Sequence, residues 1–332
     1  MNNIALIIGI NGQDGTFLAK YLVSKNYVVY GITKKNSKLN INILLKNLIE
    51  DQLVKIFQTN ILDLNVLKQL IRDIQPSEIY YLATTHELSI NKKNYNEIMS
   101  INVSGLMNVL EIIKSFLPKS KVFYASSSNV FVNAKESPQL ETTERFPETL
   151  YGVAKLTAMN LIDLYKREFK IFVCYGILYN HESTLRKKNF LPMKIVDAVV
   201  NIKYGSQKKL FLGSLDDKRD WGWAFDYVKA MWLMLQNHKP ENYLIGSGSV
   251  LTVKDILSYA FGYVDLNWKE YVVIDPSLVR ENKKVTLVAD VSKIKSELNW
   301  SSSKTFKKVV EEMIDYKIKM RNFRNDKLTL TT

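Results

Sequence analysis

Short apolar runs alternate with amphipathic stretches along the first 180 residues. The runs at 4–8, 28–32, 54–57, 79–82, 121–124 and 171–175 have the length and composition of buried strands. Apolar residues at helical spacing fill 17–22, 66–74, 98–113 and 151–165. Strands that alternate with helices in this way predict a parallel α/β sheet with helices on both of its faces.

The pattern changes after Asn180, where shorter predicted helices are separated by polar stretches. Thr252 and Asp255 have the spacing of a capping box, which predicts the start of a helix. Residues 304–320 follow an amphipathic pattern that predicts a terminal helix. We therefore expect an N-terminal domain in residues 1–180 and a smaller C-terminal α/β domain mainly in residues 181–325, with some crossing of the chain between them.

Composition and charge exclude several kinds of protein. No apolar stretch reaches the ~20 residues of a membrane span, and residues 1–3 lack the features of a signal peptide, so we expect a cytoplasmic protein. Cys174 is the only cysteine, and the three histidines are scattered, so no metal site is predicted. The net charge of +13 favours an anionic ligand, although the lysines could equally cover solvated faces. No nucleic-acid-binding motif is present.

A glycine-rich loop follows the first predicted strand and opens the first predicted helix. It reads G-x-x-G-x-x-G, and its predicted ligand-binding residues are Gly9, Gly12, Gln13, Asp14 and Gly15. Glycines permit a tight turn in which backbone N–H groups approach a pyrophosphate at the helix N-terminus. The loop therefore predicts a Rossmann-type dinucleotide site, although such a loop can also be an ordinary strand-to-helix connection.

The end of the second predicted strand indicates which dinucleotide binds. An NAD site usually places an acid there, whereas NADP requires cations. This chain has Lys34 and Lys35 at that place and no acid. Two lysines can pair with a 2′-phosphate as point charges, which favours NADP over NAD.

A phenol and an ammonium lie four residues apart at Tyr151 and Lys155, on one face of a predicted helix. A nearby positive charge lowers the pKa of a tyrosine because it stabilises the phenolate. Tyr151 could then exchange the proton of a sugar hydroxyl while hydride moves to or from nicotinamide. The third member of this catalytic group is a hydroxyl at the end of the preceding strand, where the serine cluster at 126–128 lies.

Longer stretches of the chain resemble GDP-mannose 4,6-dehydratases, an extended branch of the short-chain dehydrogenases. These stretches are residues 12–15, 138–143, 151–155, 176–183 and 212–222, and the resemblance runs from the first strand to about Trp300. It implies NADP as cofactor, a GDP-sugar in the C-terminal domain, and a homo-oligomer, either a dimer or a tetramer. The implied reaction oxidises the sugar at C4, eliminates water across C5–C6 and returns the hydride to C6.

The resemblance also implies roles for individual residues. Ser127 replaces a catalytic threonine, Tyr151 is the C4 base, and Lys155 is its partner. Further contacts to the cofactor are implied for Asn60, Ile61 and Leu82. The implied contacts to the substrate come from Asn180 and Arg219 near the diphosphate and from Lys194 and Arg280 in the nucleotide pocket. His181 could also contact the substrate, but the favoured role for it is a hydrogen bond that holds its loop.

The chain departs from the family pattern at several of these places. Asn129 stands where the family has a glutamate that handles protons at C5 and C6, and an amide cannot act as a general base. Lys283 replaces a glutamate of the nucleoside pocket, and Asn60-Ile61 replaces Asp-Leu. After the fourth strand, Ala83-Thr-Thr-His86 replaces Gly-Ala-Gln-Ser.

Three functions remain open from the sequence. The first is a GDP-mannose 4,6-dehydratase, which the breadth of the resemblance favours. The second is an NADP-dependent C4 reductase or oxidase of a related nucleotide sugar, for which Ser127, Tyr151 and Lys155 suffice. The third is a catalytically silent partner that only binds nucleotide, which the retained catalytic group disfavours.

Overall fold

A computed structural model describes residues 3–34, 42–85, 95–279 and 285–329 of the chain. Its central sheet consists of the strands β1 (Ile4–Ile8), β2 (Val28–Lys34), β3 (Val54–Thr59), β4 (Glu78–Tyr81), β5 (Lys121–Ser127), β6 (Val173–Leu178) and β10 (Tyr243–Ile245). Their order is β10-β6-β5-β4-β1-β2-β3, and every neighbouring pair is parallel. The predicted parallel sheet is therefore confirmed.

Strand β6 begins and ends later than predicted. The apolar run at 171–175 stops before Gly176, but pairing with β5 and β10 carries the strand through this glycine to Leu178. A Cβ atom at Gly176 would lie 2.7 Å from the Ile245 side chain, so the close approach of β10 requires a glycine here.

Helices cover both faces of the central sheet, as in a doubly wound fold. Alternate residues of β1 point to opposite sides, so that Ala5 and Ile7 join one core cluster and Leu6 and Ile8 the other. The first face carries α1 (Gln13–Ser24), α2 (Ile43–Glu50) and α8 (Ala224–Gln236), and the second carries α3 (Leu64–Ile74), α5 (Gly105–Phe116) and α6 (Leu150–Phe169). The sequence pattern did not predict α2.

The long predicted helix at 98–113 consists of three segments. Helix α4 (Tyr95–Met99) continues into a π-helical turn at Ser100–Ser104, and α5 follows directly. A π-helical turn of this kind often marks a functional site. Here the turn lies at the margin of the cleft described below, because Ser100 and Ile101 line that cleft.

The remaining elements form a smaller α/β layer. A three-stranded sheet has the order β11-β9-β7, from β7 (Asn180–Glu182), β9 (Lys218–Trp223) and β11 (Val250–Thr252), and β8 (Leu210–Leu212) pairs with β12 (Val272–Ile274). Helices α7 (Leu191–Lys203), α9 (Val253–Gly262) and α11 (Phe306–Thr329) share a separate core with β8. The predicted capping box is confirmed at α9, where Thr252 Oγ1 accepts from Asp255 N and Asp255 Oδ2 accepts from Thr252 N.

The two halves of the chain are interlaced. Strand β10, helix α8 and the short helix α10 (Ser292–Leu298) all follow residue 180, yet β10 extends the central sheet and α8 packs on α1. Within the described ranges, no helix is both long enough and apolar enough to span a membrane.

Candidate active site

A cleft of about 1930 Å³ opens at the carboxyl ends of the central strands. Strand β1 pairs with β2 on one side and with β4 on the other. The chain adds β2 and β3 to one side of β1 and then β4 and β5 to the other, so the strand order reverses at β1. Ligands of doubly wound sheets bind at such a reversal, outside the carboxyl ends of the strands. The cleft lies at this place and continues between α7 and α11.

The glycine-rich loop forms one wall of the cleft. Gly9 has a φ of 96°, and a Cβ atom there would lie 2.8 Å from the backbone nitrogen of Ala83. At Gly15, a Cβ atom would lie 2.5 Å from the carbonyl oxygen of Gly9. Larger residues would therefore fill the turn that brings the backbone to the N-terminus of α1. Gly9, Gly12, Gln13, Asp14 and Gly15 all line the cleft.

Side chains of this loop bind the segment that follows β6. Both Asp14 oxygens lie within 3.1 Å of His181 Nε2, and His181 Nδ1 lies 2.7 Å from the Tyr179 carbonyl oxygen. Gln13 donates to the carbonyl oxygen of His181 and accepts from Ser183 Oγ. His181 therefore holds its loop against the phosphate loop, and it also lines the cleft.

The Asp14–His181 pair is electrostatically coupled. Burial alone would lower the pKa of His181, but the Asp14 carboxylate outweighs burial and leaves the pKa raised. Burial alone would raise the pKa of Asp14, but the facing imidazole leaves it lowered. Both imidazole nitrogens face acceptors, so the geometry favours the doubly protonated, cationic ring.

The structure describes only one of the two lysines that were predicted to bind a 2′-phosphate. Lys34 lines the cleft, and its Nζ lies 2.8 Å from Glu97 Oε1 of α4. The end of β2 has no acidic residue of its own, but α4 therefore brings a carboxylate to this position. Lys35 lies outside the described residues. The other predicted cofactor contacts, Asn60, Ile61 and Leu82, line the same cleft at the ends of β3 and β4.

Tyr151 and Lys155 lie in the first turns of α6 and are almost completely buried, with 5% and 2% of their surfaces exposed. Lys155 Nζ donates to the carbonyl oxygen of Ala125 in β5 at 2.7 Å and lies 5.5 Å from the centre of the Tyr151 ring. The Tyr151 hydroxyl is hydrogen-bonded to Ser127 at the end of β5. The structure thus brings Ser127, Tyr151 and Lys155 to one place in the cleft.

Burial dominates the ionisation of both residues. It raises the pKa of Tyr151, although the hydrogen bonds and the Arg186 charge act in the opposite direction. Burial also lowers the pKa of Lys155 to about 7. The lysine is thus only partly charged near neutral pH, and the positive charge that favours the Tyr151 phenolate comes from Arg186.

Asn129 lies in the single helical turn at Ser128–Phe131 that follows β5. Its Nδ2 group donates to Ser127 Oγ at 3.1 Å, and its backbone N–H donates to the same oxygen at 3.3 Å. Asn129 lines the cleft beside Ser127. Its amide therefore orients the serine hydroxyl and brings no general base to this position.

The predicted substrate residues are not all brought together. Asn180 and His181 line the cleft, and Asn180 Nδ2 donates to the Asp220 carbonyl oxygen. In the described part of the chain, Lys194 and Arg219 do not line it. The Lys194 ammonium is held by the Phe211 carbonyl oxygen of β8, and Arg219 lies on β9 with Nη1 bonded to the Lys218 carbonyl oxygen. Arg280 lies outside the described residues.

Two residues of β9 next to Arg219 have structural roles in the smaller layer. Asp220 is fully buried and accepts from the backbone N–H groups of Ser247, Gly248 and Ala289, so it joins three segments. Trp221 stacks on Phe306 in the core of the smaller layer.

Sequence reasoning missed several residues of the cleft. Thr84 follows β4 and is hydrogen-bonded to Tyr151. Arg186 forms an ion pair with Glu182, with Nε 3.0 Å from Oε2, and its guanidinium lies 3.5 Å from the centre of the Phe190 ring. The position of Thr84 at the carboxyl end of a parallel strand was a usable signal, whereas nothing local distinguishes Arg186.

Comparison with solved structures defines the class of the fold. The protein superposes on dTDP-glucose 4,6-dehydratase from Bacillus anthracis with a TM-score of 0.83 and 19% identity, covering 96% of this chain and 97% of the other. UDP-glucose 4-epimerase from Thermotoga maritima gives a TM-score of 0.83 and 18% identity over 96% and 99% of the two chains. The fold is thus the Rossmann-type fold of nucleotide-sugar epimerases and dehydratases.

Sequence comparison then identifies the family. The family model described as GDP-mannose 4,6 dehydratase matches residues 6–313. GDP-mannose 4,6 dehydratase 2 from Arabidopsis thaliana is 37% identical, covering 94% of this chain and 86% of the relative. The human GDP-mannose 4,6 dehydratase is 34% identical over 94% and 90%, and the Vibrio cholerae enzyme is 31% identical over 94% and 92%. The chain belongs to the GDP-mannose 4,6-dehydratase family.

Proposed function

We propose that the protein oxidises C4 of a GDP-hexose with NADP, as a GDP-mannose 4,6-dehydratase-like enzyme of nucleotide-sugar metabolism. The observation that carries this proposal is the buried group of Ser127, Tyr151 and Lys155 in a chain of this family. The relatives' names supply GDP-mannose as the first substrate to test. We expect residues 1–180 to hold the cofactor and residues 181–325 to contribute most of the sugar-nucleotide site.

The phosphate loop fits a dinucleotide. A Cβ atom at Gly9 or Gly15 would clash with the backbone of Ala83 or of the loop itself, so this tight turn requires glycine. Such a turn allows backbone N–H groups at the N-terminus of α1 to approach a pyrophosphate in the cleft. Lys34 supports NADP over NAD, because its ammonium can pair with a 2′-phosphate in place of Glu97. When bound, the nicotinamide would accept and return the hydride. Every proton must then be handled by the protein or the sugar.

Tyr151 would take the proton from the C4 hydroxyl of the sugar. Its oxygen is hydrogen-bonded to Ser127, which positions the phenol for this step. Positive charge from Arg186 favours the phenolate that this step requires. Asn180 and His181 are the predicted substrate contacts in the same cleft. Lys194, Arg219 and Arg280 remain predicted contacts to the nucleotide. A homo-oligomer remains a prediction.

One observation favours a second candidate function, C4 reduction or oxidation without loss of water. Elimination across C5–C6 needs a group that removes and returns protons, and Asn129 cannot do this. The carboxylates that line the cleft in the described ranges are Asp14, Glu97 and Asp197, and each one forms an ion pair with a cation. None of these three is available as a free base beside Tyr151.

The decisive experiment incubates the purified protein with GDP-mannose and catalytic NADP and analyses the products by mass spectrometry. Loss of one water would establish a dehydratase, and it would assign the C5 and C6 protons to a group other than residue 129. No loss of water, together with NADPH consumption by a 4-keto nucleotide sugar, would establish the C4 oxidoreductase. Tyr151→Phe is the control, since it should abolish turnover under either function.

The Asn129→Glu variant makes the experiment sharper. If it gains elimination that the unchanged protein lacks, the rest of the dehydratase site is intact. Tight binding of NADP and GDP-mannose without any turnover would instead support the silent partner. Full activity of Tyr151→Phe would refute the proposed chemistry.

A further inference from the structure

The Tyr151 oxygen has two hydroxyl partners. One is Ser127, which the sequence predicted, and the other is Thr84, which it did not. Thr84 follows β4 directly and lines the cleft.

The far side of Thr84 is anchored in the protein. Thr84 Oγ1 donates to Asn102 Oδ1 at 2.8 Å. Asn102 is fully buried in the π-helical turn, and its Nδ2 donates to the Ile98 carbonyl oxygen at 2.9 Å. A carbonyl can only accept, so this bond fixes the orientation of the amide and leaves Asn102 Oδ1 as the acceptor for Thr84.

Ser127 accepts hydrogen bonds from its anchoring residue, whereas Thr84 donates one to its own. Ser127 Oγ accepts from both Asn129 Nδ2 and the Asn129 backbone N–H. Because these two donors occupy both acceptor sites of the serine oxygen, the Ser127 hydroxyl points away from Asn129 and can donate a hydrogen bond to Tyr151. The neutral phenol therefore accepts a hydrogen bond from Ser127 and donates one to Thr84. Thr84 in turn donates a hydrogen bond to Asn102.

We propose that Thr84 is a positioning residue for Tyr151. Thr84 accepts a hydrogen bond from the neutral phenol. When the tyrosine ionises, the Thr84 hydroxyl turns away from Asn102 and donates a hydrogen bond to the phenolate. This inference rests on the proposed function, because it concerns the same tyrosine. A bond to a charged oxygen is stronger than a bond between neutral groups. Thr84 therefore stabilises the phenolate more than the phenol, and it adds a second donor to the one from Ser127.

Other charged and titratable groups also face Tyr151, and they remain constant when Thr84 is changed. Lys155 lies over the ring from within α6, and Tyr124 faces it from β5. Arg186 lowers the pKa of Tyr151, and Asp14 raises it. A change confined to residue 84 therefore tests the hydroxyl alone.

The test compares Thr84→Val, which keeps the shape and removes the hydroxyl, with Thr84→Ser, which keeps the hydroxyl. The neighbouring Thr85→Val is the matched control, because Thr85 also lines the cleft. Each protein is labelled with ¹³Cζ-tyrosine and saturated with NADP. The Tyr151 signal, identified by its loss in Tyr151→Phe, is followed against pH. Turnover of GDP-mannose with catalytic NADP is measured across the same range.

We expect Tyr151 to titrate at higher pH in Thr84→Val and as in the unchanged protein in the other two variants. Turnover of Thr84→Val should be roughly tenfold lower at neutral pH, as expected for one hydrogen bond to a charged group, and should recover at high pH. An unchanged titration in Thr84→Val, or an equal change in Thr85→Val, would overturn the inference. If neither GDP-mannose nor a 4-keto nucleotide sugar is turned over, the proposed function fails, while the titration still decides the role of Thr84.

Discussion

The pair formed by Asp14 and His181 makes stability depend on pH in a defined direction. His181→Gln removes the imidazole and leaves the Asp14 carboxylate without its cation. The two side chains are 21% and 10% exposed, respectively, so the charge would remain largely shielded from water. Removing one partner of a buried ion pair typically costs ~3–5 kcal/mol, and we expect about 3 kcal/mol here because Asp14 keeps some contact with solvent and with Gln13.

The direction in which stability changes with pH follows from the shifts of the His181 and Asp14 pKa values. The pKa of His181 is raised in the folded state, so its contribution is complete below the unfolded pKa and is lost as pH rises through the folded value. The pKa of Asp14 is lowered, so its contribution is present above the unfolded pKa and is lost as pH falls through the folded value. The pair therefore stabilises the protein between the lowered pKa of Asp14 and the raised pKa of His181.

Urea unfolding of the unchanged protein and of His181→Gln would be compared at about pH 6, where an ordinary histidine is largely protonated, and at about pH 9, where it is neutral. The cost of the substitution should be larger at the lower pH. His238→Gln is the matched control, because this histidine is exposed. In a double-mutant cycle with Asp14→Asn, the two costs should be non-additive by ~1–3 kcal/mol. Equal costs at both pH values, or additive costs, would refute the assignment of a charged pair.

Three further predictions concern the fold and the cofactor site. Asp220→Ala leaves one buried and two part-buried backbone N–H groups without this acceptor and should lower the free energy of unfolding by roughly 3 kcal/mol, measured by urea denaturation; a loss below ~1 kcal/mol would contradict this role. Gly9→Ala forces a side chain into a turn with a φ of 96° and should weaken NADP binding at least tenfold in fluorescence titrations, whereas Gly262→Ala, a position with open space, should not. Tyr151→Phe should retain NADP affinity within about threefold, since it removes one hydroxyl outside the phosphate loop, and a complete loss of binding would show that the residue is structural.

Local sequence signals predicted the central sheet and the phosphate loop. The runs that form β1 to β5 are apolar because both faces of the sheet are covered, so they stand out in the sequence as short continuous apolar segments. Gly9 and Gly15 could be recognised because the geometry that they permit is set by residues next to them. Helix α2 was missed because its two buried residues, Leu45 and Leu48, give only a short pattern.

Contacts between distant segments were beyond the sequence signals. Glu97 reaches Lys34 from 63 positions along the chain, which changes the setting of the lysine that indicated NADP. Arg186 influences Tyr151 from another element, and the burial that governs Lys155 depends on packing against β5. The spacing of Tyr151 and Lys155 predicted their proximity, but not which cation favours the phenolate.

The interlacing of the two halves limits how this chain can be recombined with its relatives. A fragment that stopped near residue 180 would lose α8 from one face of the central sheet and would leave β6 as an open edge where β10 normally pairs. Exchange of substrate specificity by grafting would therefore need junctions on both sides of α8 and β10, and also around α10. A single junction near residue 180 would not suffice, because α8 and β10 would be exchanged together with the half that follows them and separated from the sheet they complete.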